Sequence, residues 1–495
     1  MSTASAVLGP DWSTSNSTTF PGRFPLSVER HTMNTVDRLV PGVTTVTLNA
    51  RYYALHGLAA AEAERRGLGR AAAQVLLRRS EVVLGAVSAH HANADPGAHG
   101  GLSRAHGYDL IWPHVRDEGL VDVAALAAPK VYAQPHWGFW AAYRGSEMVL
   151  RIVTSGSEIA PGEHLDGRAV RTGLEDVLQL AEEPMLTRAD LVDVEHLCLC
   201  RSVSSADGQW LAELFAAQGT APNTRAGTRR QTLRLIARAL EYQQVDRVTA
   251  DLSSFIAYSD ALVDGRDGRE MTVAAEWRGL VLRNFSVTAW RSLWAWLVGE
   301  IDGLTHRSML AAKFADRLPT GTVGDFRARL PATSAAGRPV PAEPQLGDEA
   351  PARYLGVLFL GALRARELSG AELHGFQGHD PEDVYEELAP AWLADRLDEW
   401  ADRPLRDFAC WLTEVLLSRS QRLALRKARL DTKRGVLKVP TRVHLRDDFV
   451  FRDSAESGGP ASLRCDQLVG ILAGVGLFAR SGDRWTLGPR GDLIA

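Results

Sequence analysis

The pattern that most constrains this chain is the helical period of its apolar residues. In MTVAAEWRGLVLRNFSVTAWRSLWAWLVGEIDG (271–303), Trp290, Leu293, Trp294 and Leu297 fall at i, i+3, i+4 and i+7. That spacing places large side chains on one helix face, and the face must be buried. Similar patterns run through 45–67, 70–88, 166–218, 227–263, 353–369, 381–402 and 404–430, while strand-like alternation is sparse before the last sixty residues. The expected fold is mainly α: a multi-helix body with a small C-terminal winged-helix (α+β) module.

Composition shifts divide the chain further. Residues 1–27 are Ser/Thr-rich without a charged and apolar leader, so a flexible tail is expected. Residues 28–316 form the helical body. Six prolines among Gly, Ala and Ser mark 317–352 as a linker or long loop. Residues 353–445 are a second helical region carrying a basic helix, and 446–495 the winged-helix-like module. In that module Ser462 precedes an apolar helix, and Ser481-Gly482-Asp483 sits between LFAR and RWTL as a hairpin turn. Its helix offers only Arg464, Asp466 and Gln467 as polar groups near its start, which suits packing or a protein partner as well as it suits DNA. Thr187 and Asp190 make a capping-box-like helix start.

The formal net charge of −4 gives no overall attraction to nucleic acid. The local picture differs. Ten basic residues lie between Arg419 and Arg446, interrupted only by Asp431, and three of the chain's five lysines are among them. Arg419, Arg422, Arg426 and Arg429 repeat along one helix face, where they suit a phosphate backbone. With Lys427, Lys433, Arg434, Lys438 and Arg442 they form the expected nucleic-acid-binding set. The alternative is a solvated face that meets the acidic run Asp380–Glu387.

Catalytic signatures are missing: there is no Gly-Lys pair, no G-x-S-x-G and no H-E-x-x-H. Asp431-Thr432-Lys433 resembles one piece of a nuclease site, but no strand is expected before it. In EHLCLC (195–200), His196, Cys198 and Cys200 share a face only on a strand, and zinc prefers wider ligand spacings. Buried helical cysteines are therefore expected. The stretch SAHHANADPGAHGGLSRAHGYDLIWPH (88–114) holds His90, His91, His99, His106 and His114 without a standard ligand spacing. It reads as a glycine-broken loop; an enzyme would use His106, Asp109 and His114, and a metal would take His99, His106 and His114. No cofactor is expected. The four cysteines form no disulfide framework, and the longest apolar run, Tyr354–Leu363, is far short of the ~20 residues a membrane span needs. A cytoplasmic protein without membrane contact is the expectation.

Two segments carry a resemblance. RLVPGVTTVTLNARYYALHG (38–57) has a Pro-Gly, a Thr-rich turn and an Ala-Arg-Tyr-aromatic helix, and HWGFWAAYRGSEMVLRIV (136–153) a Gly-Phe/aromatic–Tyr–x-Gly segment. Both are similar to an uncharacterised bacterial family encoded near restriction and antiphage genes. The resemblance implies a setting in defence against foreign DNA, alongside other defence-system subunits, and supplies no catalytic residues. Physically, Thr44, Thr45 or Thr47 suits capping of the helix that carries Arg51, Tyr52 and Tyr53. If exposed, Trp137, Trp140, Tyr143 and Arg144 suit stacking on bases. The primary expectation is a non-catalytic DNA-binding or adaptor subunit. Alternatives are a metal-dependent nuclease or other hydrolase using 90–114, and a structural subunit that binds only protein.

Overall fold

The tryptophan stripe of 271–303 becomes the spine of a core. In the computed structural model, the helix Gly268–Gly299 buries Trp290, Leu293, Trp294 and Leu297 to 2% exposure or less. The structure describes residues 24–99, 102, 104–132, 138–155, 159–221, 223–259, 261, 268–378, 381–384, 386–432 and 436–495. The protein is mainly helical, with 61% helix against 9% strand, as the apolar period requires. Among the described residues no helix is long and apolar enough to cross a membrane.

The chain divides into two units. The first comprises Met1–Thr35, Ile256–Asp260 and Ala275–Ala461. Here Trp290, Trp294, Phe314, Phe359, Phe408 and Leu412 belong to one apolar cluster. The helix Arg307–Ala315 packs on Leu405–Arg426, and Ala352–Glu367 packs on Pro390–Glu399. A small antiparallel sheet has Phe449–Arg452 at its centre, flanked by Val443–Arg446 and Thr305–His306.

The proline-rich stretch 317–352 is built into this unit. It holds the helix Val323–Ala328 and the paired strands Ser334–Ala335 and Arg338–Pro339. Its Glu343 is buried against Arg364 and accepts a hydrogen bond from Tyr258 Oη at 3.0 Å. Prolines here shape a packed segment because they sit outside helix interiors, at turns and strand edges.

The second unit comprises Val36–Phe255, Ala261–Ala274 and Ser462–Ala495. The helix Arg51–Arg65 packs on Arg70–Ala94 and Gly167–Leu180, and the last of these packs on Ala206–Ala216. Thr187 opens the helix Arg188–Asp193 with a reciprocal box: the Asp190 N–H donates to Thr187 Oγ1, and the Thr187 N–H to Asp190 Oδ2. The C-terminal segment forms the helix Cys465–Ala473 and a hairpin of Phe478–Ser481 with Arg484–Leu487, turning through Gly482 at φ +62°.

Glycine sets one helix crossing in the first unit. A Cβ at Gly279 would lie 1.9 Å from the Glu372 carbonyl oxygen, backbone of the neighbouring helix Gly370–Gln377. Gly279→Ala is therefore expected to force these helices apart and destabilise the protein by about 1–3 kcal/mol. Urea unfolding checks this; a midpoint shifted upward by the helix propensity of alanine alone would contradict the close approach.

Candidate functional site

Two buried polar assemblies in the second unit grow from the segments singled out in the sequence. The first begins at Arg51, which is fully buried on the helix Arg51–Arg65. Its Nε donates to Asp207 Oδ2 at 3.0 Å and its Nη2 to Asp207 Oδ1 at 3.1 Å. The remaining donors go to backbone: Nη1 to the carbonyls of His196 (2.7 Å) and Cys198 (2.6 Å), Nη2 to that of Gly173 (3.1 Å). Arginine suits this position because its planar fork serves a carboxylate and several carbonyls at once. Gly173 is required by the geometry, since a Cβ there would sit 2.0 Å from Asp207 Oδ1.

The His196 and Cys198 carbonyls that Arg51 grips belong to a turn bearing two cysteines. Cys198 lies between the 3-10 turns Glu195–Leu197 and Leu199–Val203, not within a helix as the sequence suggests. The Leu199 N–H donates to buried Ser88 Oγ at 3.2 Å, a second anchor on the turn. Facing it are His91, from the last turn of Arg70–Ala94, and His99, which ends the 3-10 turn Pro96–His99.

His91, His99, Cys198 and Cys200 each offer one ligand atom within 4.8 Å of the others. Cys198 Sγ lies 3.0 Å from His99 Nε2, Cys200 Sγ 3.4 Å from His91 Nδ1, the two imidazole nitrogens 3.0 Å apart and the two sulfurs 3.5 Å apart. The hydrogen bond shared with Cys198 pushes the Cys200 pKa down, to about 4, helped by His99 and His91 against the cost of burial. The same hydrogen bond and burial push Cys198 up.

The histidine loop thus contributes differently from expectation. His99 does join a ligating group, but with His91 and the two cysteines a hundred residues away, rather than with His106 and His114. His106 is buried, edge-on to Tyr52, and its N–H donates to Tyr52 Oη at 2.9 Å; burial lowers its imidazole pKa to about 4. Asp109 is exposed and ion-paired with Arg104 at 3.7 Å. His114 is half-buried where the helix Tyr108–Pro113 passes into a π-turn. Among the described residues neither His106, Asp109 nor His114 belongs to a group of three or more ligating side chains.

The second assembly joins the two motif segments directly. His56 Nδ1 lies 2.6 Å from Glu147 Oε1, and its Nε2 lies 2.7 Å from Glu81 Oε1. Glu81 also accepts the Phe139 N–H at 2.7 Å. Tyr143 Oη accepts the N–H of Asn49 and donates to the Asn49 carbonyl, both at 3.0 Å. Tyr53 Oη donates to the Gly42 carbonyl at 2.8 Å. Tyr143 is therefore core, whereas Trp140 is exposed, with the Arg144 guanidinium 5.5 Å from its ring; Trp137 lies outside the described residues.

The basic stretch, in the first unit, divides in two. Arg419 is buried: its Nε donates to the Leu26 carbonyl at 2.6 Å and its Nη atoms reach Glu386 and Glu387. Arg422 pairs with Glu387, Arg442 with Glu456 at 3.2 Å, and Lys427 donates to the Phe24 carbonyl at 3.1 Å. The acidic run does meet the basic helix, through Glu386 and Glu387. Arg426, Arg429, Lys438 and Arg446 stay exposed, and Lys433 and Arg434 lie outside the described residues. Asp431 and Thr432 sit at the end of a strand, Arg429–Asp431, absent from the sequence reading. No family model, curated protein or solved structure matches the chain.

Burial disfavours charge on His56, yet Glu147 and Glu81 outweigh it and hold its pKa up, at about 9. The folded state binds this proton more tightly than the unfolded chain. The pairing thus stabilises fully below pH 6.5 and is lost as pH rises through about 9. His56→Ala strands two buried carboxylates and is expected to cost about 3–5 kcal/mol near neutral pH. Thermal melts from pH 6 to 10 check both points; a wild-type melting profile that rises across this window would contradict the charged pairing.

Proposed function

We propose that the chain is a non-catalytic subunit of a bacterial defence system that contacts DNA through its phosphate backbone. One observation carries this reading. After the helix Leu405–Arg426, the strands Arg429–Asp431 and Val436–Lys438 form a hairpin that sets exposed Arg429 directly opposite exposed Lys438. Arg426 adds a third exposed cation at the helix end. Exposed basic residues on this strand pair and at the preceding helix end suit phosphate contact, which gives affinity without sequence information.

The defence setting rests on the resemblance of 38–57 and 136–153 to the bacterial family encoded near restriction genes. The C-terminal helix and hairpin fit the closing half of a winged helix used for packing. Arg464 is engaged with Asp37 and donates to the Val43 carbonyl at 2.8 Å, while Asp466 accepts from Thr249. Two of the three polar groups near the start of that helix are therefore committed within the unit, and the basic hairpin is the better DNA contact.

A second reading, a protein-binding subunit, is favoured by the other face of the same hairpin. Leu430 and Leu437 pair across it at 62% and 44% exposure, with Leu425 nearby in sequence at 44%.

Fluorescence anisotropy with a short duplex at several salt concentrations tests the proposal. The wild type is expected to bind with salt-sensitive affinity. Arg426→Glu with Arg429→Glu should weaken binding and reduce the log–log salt slope by about 2, close to one per lost phosphate contact. Binding unchanged by the double variant, or absent in the wild type at low salt, would refute DNA contact at this hairpin.

A further inference from the structure

We infer that His91, His99, Cys198 and Cys200 form a closed, four-coordinate site for a single zinc(II) ion. Zinc bonds thiolate sulfur at about 2.3 Å and imidazole nitrogen at about 2.0–2.1 Å, in tetrahedral array. A tetrahedron of two sulfurs and two nitrogens at those lengths has edges of about 3.8 Å (S–S), 3.5 Å (S–N) and 3.3 Å (N–N). The corresponding separations here are 3.5 Å for the sulfurs, 3.0 and 3.4 Å for two sulfur–nitrogen edges and 3.0 Å for the nitrogens. Each of these four falls within about 0.5 Å of the ideal edge, and the two remaining sulfur–nitrogen separations lie within 4.8 Å.

The donor set selects the metal. Two thiolates and two imidazoles in tetrahedral array suit zinc, whereas copper(II) and nickel(II) favour square-planar arrangements. A two-iron cluster with mixed ligation places its cysteines and histidines on different irons. Four ligand atoms all within 4.8 Å of one another surround one ion instead. Charge also balances, since two thiolates neutralise a dication, which suits a site where His91 and Cys198 are buried.

The surroundings are built to hold this geometry. Arg51 and Ser88 fix the cysteine turn by donating to the Cys198 carbonyl and accepting from the Leu199 N–H. Arg201 Nη2 lies 3.2 Å from His91 Nε2, on an exposed residue whose side chain can turn into solvent. When His91 Nδ1 ligates zinc, its neutral ring carries the proton on Nε2, and Arg201 moves aside. Zinc binding by the two thiolates displaces the thiol protons to solvent. All four positions are filled by protein, so the ion has no open coordination site and its role is structural. It ties the start of the histidine loop to the cysteine turn, a closure between residues about a hundred apart in sequence.

The test uses the full chain with any histidine tag removed, dialysed against zinc and then desalted. Elemental analysis is expected to find about one zinc per chain, and His106→Ala and His114→Ala should retain it. Cys198→Ser with Cys200→Ser should lose it. If that variant does not fold, His99→Cys keeps the site testable. It should retain the ion, and its cobalt(II) form should show a stronger thiolate-to-cobalt charge-transfer band than the wild type. Cobalt in the wild type should give the intense visible bands of tetrahedral coordination. Wild-type protein without zinc, zinc retained by the double cysteine variant, or the weak spectrum of octahedral cobalt would each overturn the inference.

Discussion

Much of the second unit depends on one buried guanidinium. Arg51 spends its hydrogen bonds on Asp207 and on three carbonyls from two other segments of the unit. Removing it would leave Asp207 charged and unpaired at zero exposure and free the turn that carries Cys198. A buried ion pair is weak evidence for net stability, but here its geometry has a further consequence. The clamp decides where the Cys198 backbone lies, and so whether two cysteines can face His91 and His99. Tyr52 and Tyr53, next along the same helix, fasten the histidine loop and the Pro41-Gly42 turn through the His106 N–H and the Gly42 carbonyl. The Ala-Arg-Tyr-Tyr sequence of the first motif segment is therefore a set of buried fasteners.

The basic stretch shows how charge runs partition. A helix that follows its apolar face into a core cannot keep every arginine in water, and Arg419 is drawn in with Glu386 and Glu387 as partners. Where the helix ends at Arg426, the chain turns into a hairpin, and Arg426, Arg429, Lys438 and Arg446 stay exposed. A single run in sequence thus separates into a structural half and a surface half, and only the latter is available to a partner. The exposed Leu430–Leu437 pair adds an apolar face to the same hairpin.

Periodicity made the helices legible. The stripe from Trp290 to Leu297, the box at Thr187 and Asp190, and the Ser481–Asp483 turn all appear where local chemistry puts them. The candidate metal centre was not legible, for a physical reason. Its ligands come as a histidine pair and a cysteine pair a hundred residues apart, each with unusual spacing. Cys-x-Cys puts both sulfurs on one side only because the backbone at Cys198 is extended between two 3-10 turns, and that break depends on Arg51 and Ser88. The one available signal was that the chain's closest pair of cysteines, Cys198 with Cys200, and its histidine-rich stretch, His90 to His114, are each a local concentration of ligating residues. Burial of Tyr143 and exposure of Trp140 were likewise tertiary outcomes, set by the packing of 139–149 against the helix Arg51–Arg65.

The central claim is that the Arg51-held cysteine turn and the histidine loop converge on one tetrahedral ion. X-ray absorption at the zinc edge of the purified full chain tests it most directly. The account predicts two sulfur scatterers at about 2.3 Å and two imidazole nitrogens at about 2.0–2.1 Å, with no oxygen in the shell. A shell of nitrogen and oxygen without sulfur would contradict it.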